Sequence, residues 1–156
     1  METLSIPVDY TEDAVKVIAD FEKFSSRPYW DVNAYRIGYG SDNVTKASGK
    51  VVRVTRSTPP ITKEDALRDL KRRVLEFEKR AVTQVGTLTW DNLPGNAKAA
   101  LISVTYNYGS LPQAVVRAVK IGDIKKISDS VASLQYHNNG VNRARRLVES
   151  RMILGE

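Results

Sequence analysis

From residue 62 onward, the chain's own punctuation cuts it into helix-length pieces, and this constrains the fold more than any other feature. Thr62 stands as an N-cap before a segment whose Ala66, Leu70, Val74, Phe77 and Ala81 form one apolar stripe, ending near Gly86. Pro94 and Gly109 bracket the next helix, through Ala97, Ala100, Leu101, Val104 and Tyr108. Proline is tolerated in a first turn, and glycine readily closes a last one. Pro112 opens another helix that stops at Gly122. Ile124, Ile127, Val131 and Leu134 mark the one after, closed by Asn138-Asn139-Gly140, and a basic helix runs over residues 141–153. A first helix is expected at residues 11–25, where Ala14, Val17, Ile18, Phe21 and Phe24 keep helical spacing behind Asp9 or Thr11 as N-cap. Ser25-Ser26-Arg27-Pro28 ends it, because the residue before proline disfavours the α region. Only residues 35–56 change character. YRIGYG and KVVRVTR read as two short strands around an Ala47-Ser48-Gly49 turn. The expectation is an α+β fold, mostly helical, with one small β-hairpin region after the first helix.

A length of 156 residues suits one domain, with a small β lobe at about 29–60 and a helical lobe at about 61–156 joined by the first helix. The absence of cysteine removes disulfide scaffolds, thiolate zinc sites and cysteine nucleophiles. His137 is the only histidine, so it reads as a structural or rim residue, and neither metal nor cofactor is expected. No phosphate loop, serine elbow or dinucleotide fingerprint is present. The net charge of +6 favours a polyanionic partner: nucleic acid, anionic lipid or bacterial cell wall. METLSIPVDYTED lacks the basic and apolar regions of a signal peptide, and no stretch is long and apolar enough to span a membrane. Synthesis in the cytoplasm follows as an expectation.

The stretch most suggestive of chemistry is FEKFSSRPYWDVNAYRIGYG. Glu22 lies four residues after Ile18 and seven after Val15, so it continues an apolar stripe at the end of a helix. Desolvation and the negative end of the helix dipole both favour the protonated carboxyl there, which suits a general acid. Asp31 follows nine residues later, in a polar loop that leaves it ionised. Two carboxyl groups in contrasting environments are the pattern of glycoside hydrolysis. The plainer alternative is a Glu22 paired with a basic residue and an Asp31 that caps a turn.

At this point the chain resembles the phage-type lysozymes, glycoside hydrolase family 24. Glu22, Tyr29, Asp31, Gly38 and Gly40 match the family's Glu, its Tyr and Asp seven and nine residues on, and its glycine-rich hairpin. TYNYG at 105–109 is similar to the segment lining the family's cleft, and NRARR at 142–146 to its C-terminal Asn-Arg motif. The resemblance implies a muramidase that cleaves the β-1,4 bond between N-acetylmuramic acid and N-acetylglucosamine. Glu22 protonates the leaving oxygen in that scheme. Asp31 activates a water or steadies the oxocarbenium charge, and Arg143 holds Glu22 in place. Tyr29, Trp30, Tyr106, Asn107 and Asn139 are the implied sugar contacts. Two positions depart from the pattern. The Thr usually found two residues before the first hairpin glycine, where it helps hold the water, is Arg36, and Ser41 stands where many members carry His. Tyr35, Ser41 and Thr45 are therefore the candidate hydroxyls for that water. The implied setting is a monomeric phage or prophage endolysin acting on peptidoglycan at the wall or periplasm, with a holin for export. Two alternatives stand beside it. One is a catalytically altered wall-binding or transglycosylase-like variant. The other is a basic nucleic-acid-binding helical domain, supported by Arg143, Arg145, Arg146 and Arg151 but lacking any nucleic-acid motif.

Overall fold

The computed structural model describes residues 9–156. Helix α1 spans Tyr10–Glu22, capped by Asp9, whose side chain accepts from the Thr11 backbone N–H at 2.9 Å. It ends three residues before the expected Ser25, because Lys23 leaves the helical region with φ 57° and ψ 140°. Glu22 thus sits at the last helical position, and Ala14, Val15 and Ile18 bury the face below it.

The segment read as a helix stop is itself a strand. Strand β1 (Ser25–Asp31) pairs antiparallel with β2 (Ala34–Gly38), and β3 (Asn43–Thr45) pairs with β4 (Val51–Arg53). Two hairpins therefore replace the single expected one. YRIGYG folds back onto SSRPYWD instead of forward onto KVVRVTR. Pro28 is tolerated in β1 because the sheet has only two strands and its register shifts between Ser25 and Tyr29. A reciprocal pair of 2.9 Å backbone bonds between Ile37 and Ser41 closes the loop that joins the hairpins.

The helical body follows the punctuation closely. Helix α2 (Lys63–Val85) opens with a capping box: Asp65 N–H donates to the Thr62 hydroxyl at 3.1 Å, and Thr62 N–H to the Asp65 carboxylate at 3.2 Å. Its stripe from Ala66 through Ala81 is buried, and Gly86 ends it. A short helix α3 (Thr87–Asp91), which the sequence reading lacked, buries Trp90. Helix α4 (Gly95–Tyr108) is the central element, buried continuously from Ala99 to Thr105 and packed against α1, α2 and α7 (Arg143–Ile153). At roughly 1.5–3 kcal/mol for each large apolar side chain fully buried, Leu101, Ile102 and Val104 make α4 the anchor of the core. Helix α5 (Gln113–Ile121), helix α6 (Ile124–Ala132) and a 3₁₀ stretch (Ser133–Gly140) complete the body. Among the described residues, no helix is long and apolar enough to cross a membrane.

Candidate active site

Between the hairpins and the helical body lies a cleft of about 540 Å³, lined by Glu22 at the end of α1 and by Tyr29, Asp31, Arg36 and Gly40 on the hairpin side. Arg73, Phe77 and Arg80 of α2 and residues 106–109 at the end of α4 also line it.

The helical wall is built around an ion pair made by a buried arginine. Arg145 of α7 donates from Nη1 to Glu22 Oε1 at 2.6 Å, with its side chain 3% exposed against 23% for Glu22. Its remaining nitrogens donate to the Ser103 hydroxyl at 3.2–3.3 Å and to the Ser103 carbonyl at 3.1 Å, which fixes the guanidinium plane. Glu149 stands 3.5 Å away and also pairs with the fully buried Arg146 at 2.6 Å. Burial pushes the Glu149 carboxyl up, against the opposing pull of Arg146 and Arg145.

The residue on Glu22 is therefore Arg145, and the expected Arg143 is exposed at the start of α7. The reason is helical phase. Residues two apart lie about 200° around a helix, so Arg143 and Arg145 face opposite ways. The sequence did hold a signal. Arg145, Glu149 and Ile153 recur every four residues, which puts two charged groups on the stripe of a buried isoleucine.

Strand alternation sorts the hairpin wall. In the β1–β2 register Tyr29 is opposite Arg36 and Trp30 is opposite Tyr35. Tyr29, Asp31 and Arg36 share the cleft face. Trp30 and Tyr35 point to the other face and meet edge to face, ring centroids 5.1 Å apart. Trp30, expected to contact sugar, is thus absent from the cleft lining, and so is Tyr35. Arg36 donates from Nε to Asp31 Oδ2 at 3.0 Å and from Nη1 to the Gly40 carbonyl at 3.2 Å. Burial, then the negative charges of Asp31 and Glu22, push the Tyr29 phenol up.

Gly40 has φ +84°, and a Cβ there would stand 3.3 Å from Glu22 Oε2. Only glycine combines that backbone with such an approach to the carboxylate. Behind it, Tyr106 donates to the Tyr39 carbonyl at 2.8 Å and packs on Phe77 with centroids 4.9 Å apart. The Arg73 guanidinium lies 5.4–5.5 Å from both ring centroids. Burial raises the Tyr106 phenol, opposed by Arg73.

The other two candidate water-holding hydroxyls are committed elsewhere. Ser41 and Thr45 are 3% and 6% exposed, and both donate to Asp69 of α2, from Thr45 Oγ1 at 2.9 Å. Arg72 completes the cluster, with Nη2 3.0 Å from Asp69 Oδ1 and Nε 2.7 Å from Thr45 Oγ1. This buried network clamps the hairpins to α2 and offers the cleft no free hydroxyl. Asn139, another implied sugar contact, is exposed with φ 57° and does not line the cleft. His137 sits at the rim, its Nδ1 2.9 Å from the Tyr108 hydroxyl. Of the implied contacts, Tyr29, Tyr106 and Asn107 line the cleft. Arg36, Arg73 and Arg80 line it without having been singled out for binding or catalysis.

A two-walled cleft with one carboxylate on a helix end and one on a hairpin defines a lysozyme-like glycoside hydrolase. The chain belongs to the phage lysozyme family, whose model matches residues 19–152. It is similar in structure to P22 lysozyme, solved as a single-substitution mutant, at 21% identity with 99% of both chains covered and a TM-score of 0.71. The muramidase domain of SpmX from Asticaccaulis excentricus is similar at 22% identity, again over 99% of both chains, with a TM-score of 0.70. An endolysin from the Escherichia coli O157:H7 phage FAHEc1 shares 21% identity, covering 99% of this chain and 96% of its own, with a TM-score of 0.66. At these identities the solved structures carry the fold, and family membership carries the class of activity. No curated protein matches the chain significantly.

Proposed function

We propose that this lysozyme is a phage or prophage endolysin that hydrolyses the β-1,4 bond between N-acetylmuramic acid and N-acetylglucosamine, with Glu22 as general acid. The observation that carries the reading is Glu22 at the cleft edge of α1, gripped by Arg145 and facing Gly40, with Asp31 lining the same cleft. Glu22 delivers its proton to the glycosidic oxygen as that bond breaks. Asp31 stabilises the positive charge that develops on the sugar ring, or orients the water that attacks it. Tyr29, Tyr106 and Asn107 supply sugar-contacting surface, and the +6 charge draws the enzyme toward the carboxylates of the wall. The whole chain works as one lysozyme-like domain and as a monomer, reaching the wall or periplasm through a holin lesion. The competing nucleic-acid reading loses support, because two of its four arginines, Arg145 and Arg146, are buried in ion pairs.

The test is release of reducing ends from purified peptidoglycan, with wild type and Glu22→Gln compared at equal folded concentration. Wild type should release disaccharide units whose reducing end is muramic acid. A reducing N-acetylglucosamine end, or no release at all, would overturn the assignment.

A further inference from the structure

Arg36 occupies the position where the family pattern has a small hydroxyl, and its contacts give it a different task. On one hairpin face it reaches diagonally to Asp31, while its second nitrogen holds the Gly40 carbonyl. Gly40 is the residue whose α-carbon approaches Glu22 so closely that even a methyl group would meet Oε2 at 3.3 Å. One guanidinium therefore ties the strand that carries Asp31 to the loop that backs Glu22. Its side chain is 26% exposed, so the bridge is formed in a partly desolvated wall. A guanidinium can make both bonds at once because its donors lie in a rigid planar fork, whereas an ammonium is a single point charge. Asp31 gives up Oδ2 to this bond. A carboxylate so engaged is held in one orientation, its charge fixed in place beside the cleft.

We propose that Arg36 is the positioning residue of the second carboxylate. It fixes Asp31 as a charge stabiliser and sets the spacing between Asp31 and Glu22. The proposal rests on the muramidase reading and deepens it. The cleft would then tolerate the absence of a water-holding threonine, because Asp31 is oriented by Arg36 and works through its charge. Misplacing a reacting group by about 1 Å can cost as much as 100-fold in rate, so the consequence is measurable.

The experiment is steady-state hydrolysis of soluble peptidoglycan fragments by wild type, Arg36→Met, Arg36→Lys, Asp31→Asn and the Arg36→Met/Asp31→Asn double variant. Arg36→Met should lower kcat about 10–100-fold with KM within about two-fold, since substrate binding is not what it supports. Arg36→Lys should recover part of the loss, because it can meet Asp31 or Gly40 but not both. The double variant should be no slower than Asp31→Asn alone, since Arg36 acts through that carboxylate. An Arg36→Met enzyme with wild-type kcat, or a double variant whose losses multiply, overturns the proposal. Should Arg36→Met fail to fold, Arg36→Gln keeps much of the side chain's bulk without its charge and takes its place in the cycle. A readout independent of turnover is the Arg36 Nε–H resonance, which should move on Asp31→Asn and stay put on Asp42→Asn. If wild type proves inactive on peptidoglycan while that resonance behaves as expected, the functional reading fails and the pairing stands. If wild type is active and Arg36→Met equals it, the positioning role alone is lost.

Discussion

The two walls of the cleft solve the same problem, holding a carboxylate at the cleft surface, with different materials. On the helical wall, Glu22 is gripped by an arginine 123 residues away, whose guanidinium is almost wholly buried and anchored by Ser103. On the hairpin wall, Asp31 is gripped by an arginine five residues away, and the pair is 26% and 49% exposed. The first pair depends on α1, α4 and α7 being packed correctly, so folding and site formation there are one event. The second needs only a two-stranded hairpin in register. Chemistry and stability should therefore separate between the walls: losing Arg145 on the helical wall costs both, and losing Arg36 on the hairpin wall costs mainly rate.

The largest loss of rate is expected from Glu22→Gln, which leaves the arginine of the helical wall in place. It removes the transferable proton but keeps the volume and a hydrogen-bond acceptor for Arg145. Activity should fall by about 10²–10⁴-fold, the usual worth of general acid catalysis, with thermal unfolding little changed. Retained hydrolysis would mean that the acid lies elsewhere. Arg145→Met should cut deeper into stability, by about 3–5 kcal/mol, since it leaves the part-buried Glu22 without its partner and the buried Glu149 with Arg146 alone. Urea unfolding measures this, and a loss below about 1 kcal/mol would show that the helical wall does not depend on the pair.

What the sequence discloses follows the same division. Helices α2, α4 and α5 could be read because their signals are local: a capping box at Thr62, prolines in or just before first turns, and glycines at Gly86, Gly109 and Gly122. Strand β1 could not. SSRPYWD has no apolar alternation, its proline mimics a helix stop, and only its pairing with β2 makes it a strand. Glu22, Asp31 and Gly40 could be placed at the cleft from the resemblance to the family's motif, whose spacing they keep. Arg145 is marked only indirectly, by its recurrence with Glu149 and Ile153, because choosing between Arg143 and Arg145 requires the phase of α7 against α1. Ser41 and Thr45 looked available because their partner, Asp69, is 28 and 24 residues away and joins them only when α2 packs on the hairpins.

That buried cluster supplies an intermediate test. Asp69 accepts from Ser41, Thr45 and Arg72 while 2% exposed. Asp69→Asn swaps one acceptor oxygen for a donor that faces other donors, so about 1–3 kcal/mol should be lost. The effect should appear first as local opening of the hairpins, read by amide exchange in residues 41–45, while α4 stays protected. Uniform loss of protection would show that the hairpins and the helical body unfold together, and the two-wall distinction would not hold for stability.

The smallest expected effect is the most discriminating one. Arg143 and Arg145 are two residues apart in one arginine-rich helix, and nothing in their chemistry distinguishes them. Geometry does. A rotation of about 200° places Arg145 against Glu22 of α1 and leaves Arg143 in solvent. Arg143→Ala should therefore change stability by no more than about 0.5 kcal/mol, as surface substitutions usually do, and leave turnover on peptidoglycan fragments unchanged. Binding to intact, acidic cell wall should weaken slightly and more so at low salt, because one positive charge is lost from the surface. If α7 were rotated by half a turn, the two outcomes would exchange: Arg143→Ala would unfold the protein and Arg145→Met would be silent. Measuring both variants side by side thus reads the phase of α7 directly. That phase decides which arginine holds Glu22.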